Sequence, residues 1–116
     1  MRQVCEEFLA ARLPLPGLAA CAVRLPDGML MHQCFDRWLS PAQLRQAIAQ
    51  LAHNQDSLGR YQIEPVRTVW TFEHLRIDLT LRPDRACLAL FSQNRPDLQL
   101  DAIESVLWEF VNLPAA

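Results

Sequence analysis

Four helix-start signals coincide between Leu39 and Leu44, and they fix where the middle of the chain becomes helical. Ser40 is a preferred N-cap residue, and Pro41 follows at the first helical position, where a missing N–H costs nothing. Gln43 lies three residues after Ser40, so the two side chains can form a capping box. Leu39 and Leu44 occupy the positions of a hydrophobic staple. The sequence therefore predicts a central helix that begins at Pro41.

This central helix is predicted over residues 41–58 and ends at Gly59, a residue that favours helix termination. Its apolar residues recur at helical spacing and form one buried stripe, namely Leu44, Ala47, Ile48, Leu51, Ala52 and Leu58. Only Arg45 and Asp56 are charged within it. The opposite side is polar but poor in charge, and it consists of Gln43, Gln46, Ala49, Gln50, His53 and Asn54. A plain solvated face is one interpretation, but we favour an interface, because interface cores are depleted of charge.

A helix and a β-hairpin are predicted before the central helix. Residues 2–13 carry apolar side chains at helical spacing, and Pro14 stops that helix. Residues 18–25 and 29–35 are predicted strands, because both are apolar-rich and turn-forming residues separate them.

The turn between these strands allows two registers. A two-residue turn would pair Cys21 with Cys34, whereas a three-residue loop pairs Leu25 with Met29. We favour the three-residue loop, since only Gln33 interrupts the apolar face that it creates. That face collects Ala19, Cys21, Val23, Leu25, Met29, Met31 and Phe35. The same register places Cys21 and Cys34 on opposite faces, which disfavours a disulfide.

Three strands and a helix are predicted after the central helix. The strands cover residues 66–72, 75–82 and 86–92, and their links are too short for crossovers, so they form an antiparallel meander. The middle strand alternates, with Leu75, Ile77, Leu79 and Leu81 predicted inward and Arg76, Asp78, Thr80 and Arg82 outward. The last of these strands, over residues 86–92, is a nearly continuous apolar run, as expected of a strand covered on both faces. Asp97 is the predicted N-cap of a final helix over residues 98–111.

The segment Leu-Pro-Gly-Leu-Ala-Ala-Cys-Ala-Val at residues 15–23, together with Asp27-Gly28 and this element order, resembles the roadblock/dynein light chain family. The resemblance implies one roadblock-like domain over residues 1–116, an α+β sandwich of the roadblock/profilin-like type. It implies a five-stranded antiparallel sheet of order 2-1-5-4-3 between helices, and a homodimer formed through the third strand and the central helix. Members of this family bind small Ras-like GTPases as activators or scaffolds, or tether motor complexes, and have no enzymatic activity of their own.

The third strand of the chain, over residues 66–72, is an edge in that order, and edges invite pairing with another strand. Arg67 is the one charged residue that guards it. Combined with the charge-poor helix face, this edge gives a predicted dimer or partner interface consisting of Gln43, Gln46, Ala49, Gln50, His53, Arg67, Thr68, Val69, Trp70 and Thr71.

Catalytic, cofactor-binding and metal-binding residues are not predicted. His32 and Cys34 share one strand face, but they lie roughly 7 Å apart along the strand and lack the orienting third group of a nucleophilic site. The four cysteines contain no C-x-x-C pair, and the three glycines are too few for a phosphate-binding loop. Trp108 falls off the buried stripe of the final helix, where it either covers a core edge or contacts a partner.

Composition narrows the classes of partner and location. An apolar fraction of 51% and a charged fraction of 21% are typical of a globular domain. The net charge of −2 and the scattered arginines give no reason to expect nucleic acid. No apolar run reaches the ~18 residues of a membrane span. Residues 1–7 carry acids rather than the pattern of a secretory signal, so we expect a cytoplasmic protein.

Two functional hypotheses follow. The first is a non-catalytic, cytoplasmic homodimer that regulates or scaffolds a small Ras-like GTPase. The alternative is a dimeric chaperone-like protein-binding module. Element order distinguishes them, because dimeric secretion chaperones usually place three strands before the central helix, whereas two are predicted here.

Overall fold

The structure, a computed structural model, describes residues 2–62 and 66–114, and the predicted order of elements is confirmed over them. In chain order the elements are α1 (Arg2–Arg12), β1 (Leu18–Arg24), β2 (Leu30–Cys34), α2 (Pro41–Gly59), β3 (Arg67–Thr71), β4 (Leu75–Leu81), β5 (Cys87–Gln93) and α3 (Leu100–Val111).

The strands form one antiparallel sheet in the order β2-β1-β5-β4-β3, as the family resemblance implied. The first hairpin adopts the three-residue loop that we favoured. The N–H of Leu25 donates to the carbonyl of Met29 at 2.8 Å. Gly28 closes the turn at φ +89°, a left-handed conformation that glycine adopts without strain. Cys21 and Cys34 consequently lie on opposite faces of the sheet.

Helices cover both faces of the sheet. On one face, residues of α1 and α3 such as Phe8, Ile103 and Phe110 pack with Val23 and Leu88 of the strands. On the other face, Leu44 and Leu51 of α2 pack against the sheet. The central strand β5 is therefore buried on both sides, as its apolar sequence predicted.

The start of α2 confirms the predicted cap. The Ser40 hydroxyl accepts from the Gln43 N–H at 3.1 Å, and the Gln43 Oε1 accepts from the Ser40 N–H at 2.9 Å. Leu39 and Leu44 are both buried beside this cap, at the positions of the predicted staple.

The prediction for β4 was wrong on one face. Asp78, Thr80 and Arg82 were predicted outward, yet they are 0%, 3% and 5% exposed. The α3 layer covers this face, and the polar groups find partners there instead of water. Asp78 binds arginines, and Arg82 donates to the carbonyl oxygen of Phe110 at 2.7 Å.

Two local predictions were also wrong. A register irregularity between Leu18 and Ala20 turns Ala19 toward the α2 side, away from the predicted face. The final helix starts at Leu100, with Gln99 as an N-cap that makes no side-chain bond. Asp97 does not cap it, because it lies two residues before the N-cap position, where its carboxylate binds the guanidinium of Arg95 at 2.6 Å.

Candidate dimer and partner interface

The outer face of α2 is open to solvent along its length. Each of the predicted interface residues on this helix is exposed, namely Gln43, Gln46, Ala49, Gln50 and His53. Two of them are partly engaged within the helix: Gln43 serves the cap, and the Gln50 Nε2 donates to the Asn54 Oδ1 at 3.4 Å. The face thus combines amide groups, one imidazole and small apolar area, with few fixed charges to desolvate on burial.

The β3 strand is an edge, as predicted, and its hydrogen-bond pattern shows which backbone groups are open. The Phe72 N–H donates to the carbonyl of Leu75 at 2.8 Å, and the carbonyl of Val66 accepts from the N–H of Leu81 at 2.9 Å. Alternate residues of an antiparallel strand point their backbone groups in opposite directions.

The residues of β3 between these bonds therefore divide into two sets. Thr68 and Trp70 face β4 with their backbone groups. Arg67, Val69 and Thr71 direct N–H and C=O away from the sheet, where no strand of the described residues pairs with them.

The Arg67 side chain does not guard this edge. It folds over the α3 side of the sheet, where its Nη2 donates to Asp78 Oδ1 at 2.7 Å and binds Glu104. Its Nη1 donates to the carbonyl of Thr68 at 2.9 Å. Partial burial alone would lower the pKa of Arg67, but the bonds to Glu104 and Asp78 raise it, so the guanidinium stays charged. An edge whose one cation is withdrawn in this way is open to another strand.

The side chains of β3 lie on both faces of the sheet. Trp70 packs against the core on the α2 side, so it is part of the fold as well as of the predicted interface. Val69, on the α3 side, is 42% exposed, and Val66 and Phe72 at the two ends of the strand are more exposed still. The exposed apolar area therefore extends along the edge on both sides of the open backbone groups.

The described residues hold no cluster of three or more metal-ligating side chains. His32 and Cys34 lie on one face of β2, as predicted, and the structure places that face on the α2 side, with His32 exposed and Cys34 half-buried. Burial raises the pKa of the Cys21 and Cys87 thiols to about 11, so neither is a thiolate nucleophile near neutral pH.

Trp108 lies on the outside of α3 with 70% of its surface exposed. It therefore does not cover a core edge. Sequence periodicity placed it off the buried stripe but gave no further sign of this exposure.

Helices long and apolar enough to cross a membrane are absent from residues 2–62 and 66–114.

The fold is that of known roadblock domains. Nearly the whole chain superposes on a Roadblock/LC7 domain from Streptomyces avermitilis with a TM-score of 0.61, at 14% identity over 96% of this chain and 91% of that one. MglB from Myxococcus xanthus matches with a TM-score of 0.57, at 13% identity over 94% of this chain and 89% of that one. No protein-family model and no curated protein matches the sequence.

Proposed function

We propose that this chain is a non-catalytic, cytoplasmic homodimer that regulates or scaffolds a small Ras-like GTPase. The observation that carries the proposal is the unguarded edge of β3, with its outward-directed backbone at Arg67, Val69 and Thr71. A second copy of the same edge satisfies these groups and buries the exposed Val69 side chain.

The open groups of β3 also suggest a register. Arg67 and Thr71 lie two residues on either side of Val69, so an antiparallel pair related by a two-fold axis places Val69 opposite itself. Arg67 then pairs with Thr71 of the second copy. Each of these residues exchanges both backbone bonds in that arrangement, and the ten strands form one continuous sheet.

The outer face of α2 supports the proposed binding of a GTPase partner. This helix lies on the face of the sheet where Trp70 of β3 packs. Joining two copies at β3 therefore brings two α2 helices to the same side of the continuous sheet. Their exposed Gln46, Gln50 and His53 side chains offer hydrogen bonds to a partner without the cost of desolvating a fixed charge.

The GTPase partner rests on the family resemblance and on the roadblock fold. The chaperone alternative lacks its diagnostic element order, because two strands precede α2 here rather than three. The net charge of −2 gives no electrostatic support for a nucleic-acid partner.

A binding assay with a Ras-like GTPase encoded beside the gene for this chain tests the partner. We expect the affinity to depend on whether the GTPase carries GDP or a non-hydrolysable GTP analogue. The double variant Gln46→Arg/Gln50→Arg should weaken binding at least tenfold, whereas Gln3→Arg on the exposed side of α1 should leave it unchanged. Binding that ignores the α2 variants, or no binding in either nucleotide state, contradicts the proposal.

A further inference from the structure

The sheet has a second open edge at β2, on the side opposite β3. The Phe35 N–H donates to the carbonyl of Ala19 at 2.7 Å, so the odd-numbered residues of this strand carry the bonds to β1. The alternate residues Leu30, His32 and Cys34 direct their backbone N–H and C=O groups away from the sheet. No strand among the described residues pairs with them.

The β2 edge lacks the features that normally protect an edge strand. Residues 29–35 contain no proline and no Asp, Glu, Lys or Arg. Met29 and Leu30 are 43% and 42% exposed. Protected edges usually carry charges or proline, or are covered by another element. This edge is therefore a template for a further strand.

A cleft of about 540 Å³ runs beside this edge, between α1 and β2. Leu9 and Ala10 of α1 form one wall, Met31 and Cys21 contribute apolar surface from the strands, and the Arg2–Glu6 ion pair lines the α1 side. When a peptide adds to a sheet edge, main-chain bonds hold it and adjacent pockets receive alternate side chains. The cleft is placed to receive the side chains on one face of such a peptide.

The other face of the β2 edge carries one fixed positive charge, on Arg24, beside the imidazole of His32. Arg24 of β1 is paired with Leu30, and His32 is paired with Ala22, so both side chains lie on the α2 side of the sheet. Both are exposed. Acidic side chains on that face of an added strand meet complementary charge.

We propose that β2 binds an extended segment of a partner protein by strand addition, and that apolar and acidic side chains alternate along this segment. The apolar side chains enter the cleft beside α1, and the acidic ones lie near Arg24 and His32. A second copy does not fit this role, because pairing at β2 as well as at β3 links chains into an open array rather than a closed dimer. The choice of a partner protein over a second copy rests on the β3 dimer proposed above, whereas the open β2 edge and its cleft are independent of the proposed GTPase function.

Titration of the full chain with a labelled, end-capped (Val-Glu)₃-Val peptide tests the proposal by fluorescence anisotropy. We expect saturable binding, protection of the Leu30, His32 and Cys34 amides from hydrogen exchange, and much weaker binding of the matched (Val-Lys)₃-Val peptide. His32→Pro removes an outward N–H without touching a β1 bond, and it should weaken binding at least tenfold. His32→Ala keeps that N–H and should bind within a few-fold of the wild-type chain.

Arg24→Glu provides a second variant at an exposed position, where folding is little affected. It should weaken binding of the Val-Glu peptide and strengthen that of the Val-Lys peptide. Failure of the Val-Glu peptide to bind, protection of amides elsewhere than β2, or equal affinities of His32→Pro and His32→Ala overturns the proposal. A monomeric mass for the wild-type chain contradicts the β3 dimer but leaves this site intact, so the two failures are distinguishable.

Discussion

Arg67 Nη2 donates a 2.7 Å hydrogen bond to Oδ1 of Asp78, whose side chain is fully buried. Arg76 binds the same carboxylate through its Nε at 3.0 Å to Oδ2. Glu104 of α3 accepts from Arg67 on the outer side of this cluster. The cluster ties β3 to β4 and α3, so the edge strand is held in place while its outward backbone stays open.

Removing the Arg67 guanidinium should destabilise the chain. In Arg67→Ala, Asp78 keeps Arg76 but loses one of its two cations, and a lost charged hydrogen bond in a buried site costs about 1.5–3 kcal/mol. Urea unfolding should show this as a lower midpoint at unchanged slope. Arg95→Ala is the matched control, since the Arg95–Asp97 pair is exposed and its loss should not shift the midpoint. Equal midpoints for the two variants would refute a stabilising role of Arg67.

Asp84 should contribute to stability in a pH-dependent way. Although burial acts to raise it, the hydrogen bond from the Ala86 N–H and the Arg82 guanidinium hold the pKa of Asp84 below its ordinary value of 3.8. A carboxylate with a depressed native pKa stabilises the fold above the unfolded pKa, and this contribution is lost as pH falls through the native pKa. Asp84→Asn should therefore be less stable than the wild type at pH 7, and the difference should shrink in acid below pH 3.8. A difference that is constant from neutral pH to acid contradicts this assignment.

The four cysteines should react with alkylating reagents at unequal rates. Cys34 is half-buried, whereas the other three thiols are buried, and burial raises the pKa of Cys21 and Cys87 to about 11. Native-state labelling with iodoacetamide near neutral pH should modify Cys34 first, and all four should react in urea. Peptide mass spectrometry identifies the site, and Cys34→Ser should abolish the first labelling step. Early modification of Cys21 or Cys87 is the contrary result.

Features set by neighbouring residues were predictable from the sequence. The capping box of α2 depends on Ser40 and Gln43 alone, and the first hairpin depends on its turn and on alternation of apolar side chains. Both were confirmed. The strand order, and with it the identity of the two edge strands, was predicted correctly only through the family resemblance, because strand order depends on contacts remote in sequence.

Features set by distant partners were missed. Asp78 and Arg82 alternate with apolar residues and so resemble a solvated face, but their partners lie 11 and 28 residues away. Withdrawal of Arg67 from the β3 edge has the same origin, because Asp78 and Glu104 reach it only in the folded chain. The exposure of Val69 and the open cleft beside β2 likewise depend on how helices pack on the sheet.

The mass in solution of the wild-type chain and of Val69→Pro tests the central claim, that β3 joins two copies. Val69→Pro removes an outward N–H while leaving the bonds to β4, and Val69→Ala is the control that keeps this N–H. Loss of two interchain backbone bonds costs about 1–3 kcal/mol, or roughly ten- to hundredfold in the dimer dissociation constant, and the proline ring adds a steric clash. Light scattering at micromolar concentration should give twice the single-chain 13.3 kDa for the wild type and for Val69→Ala, and a single-chain mass for a folded Val69→Pro. A single-chain mass for the wild type, or a stable dimer of Val69→Pro, would contradict the claim that β3 joins two copies.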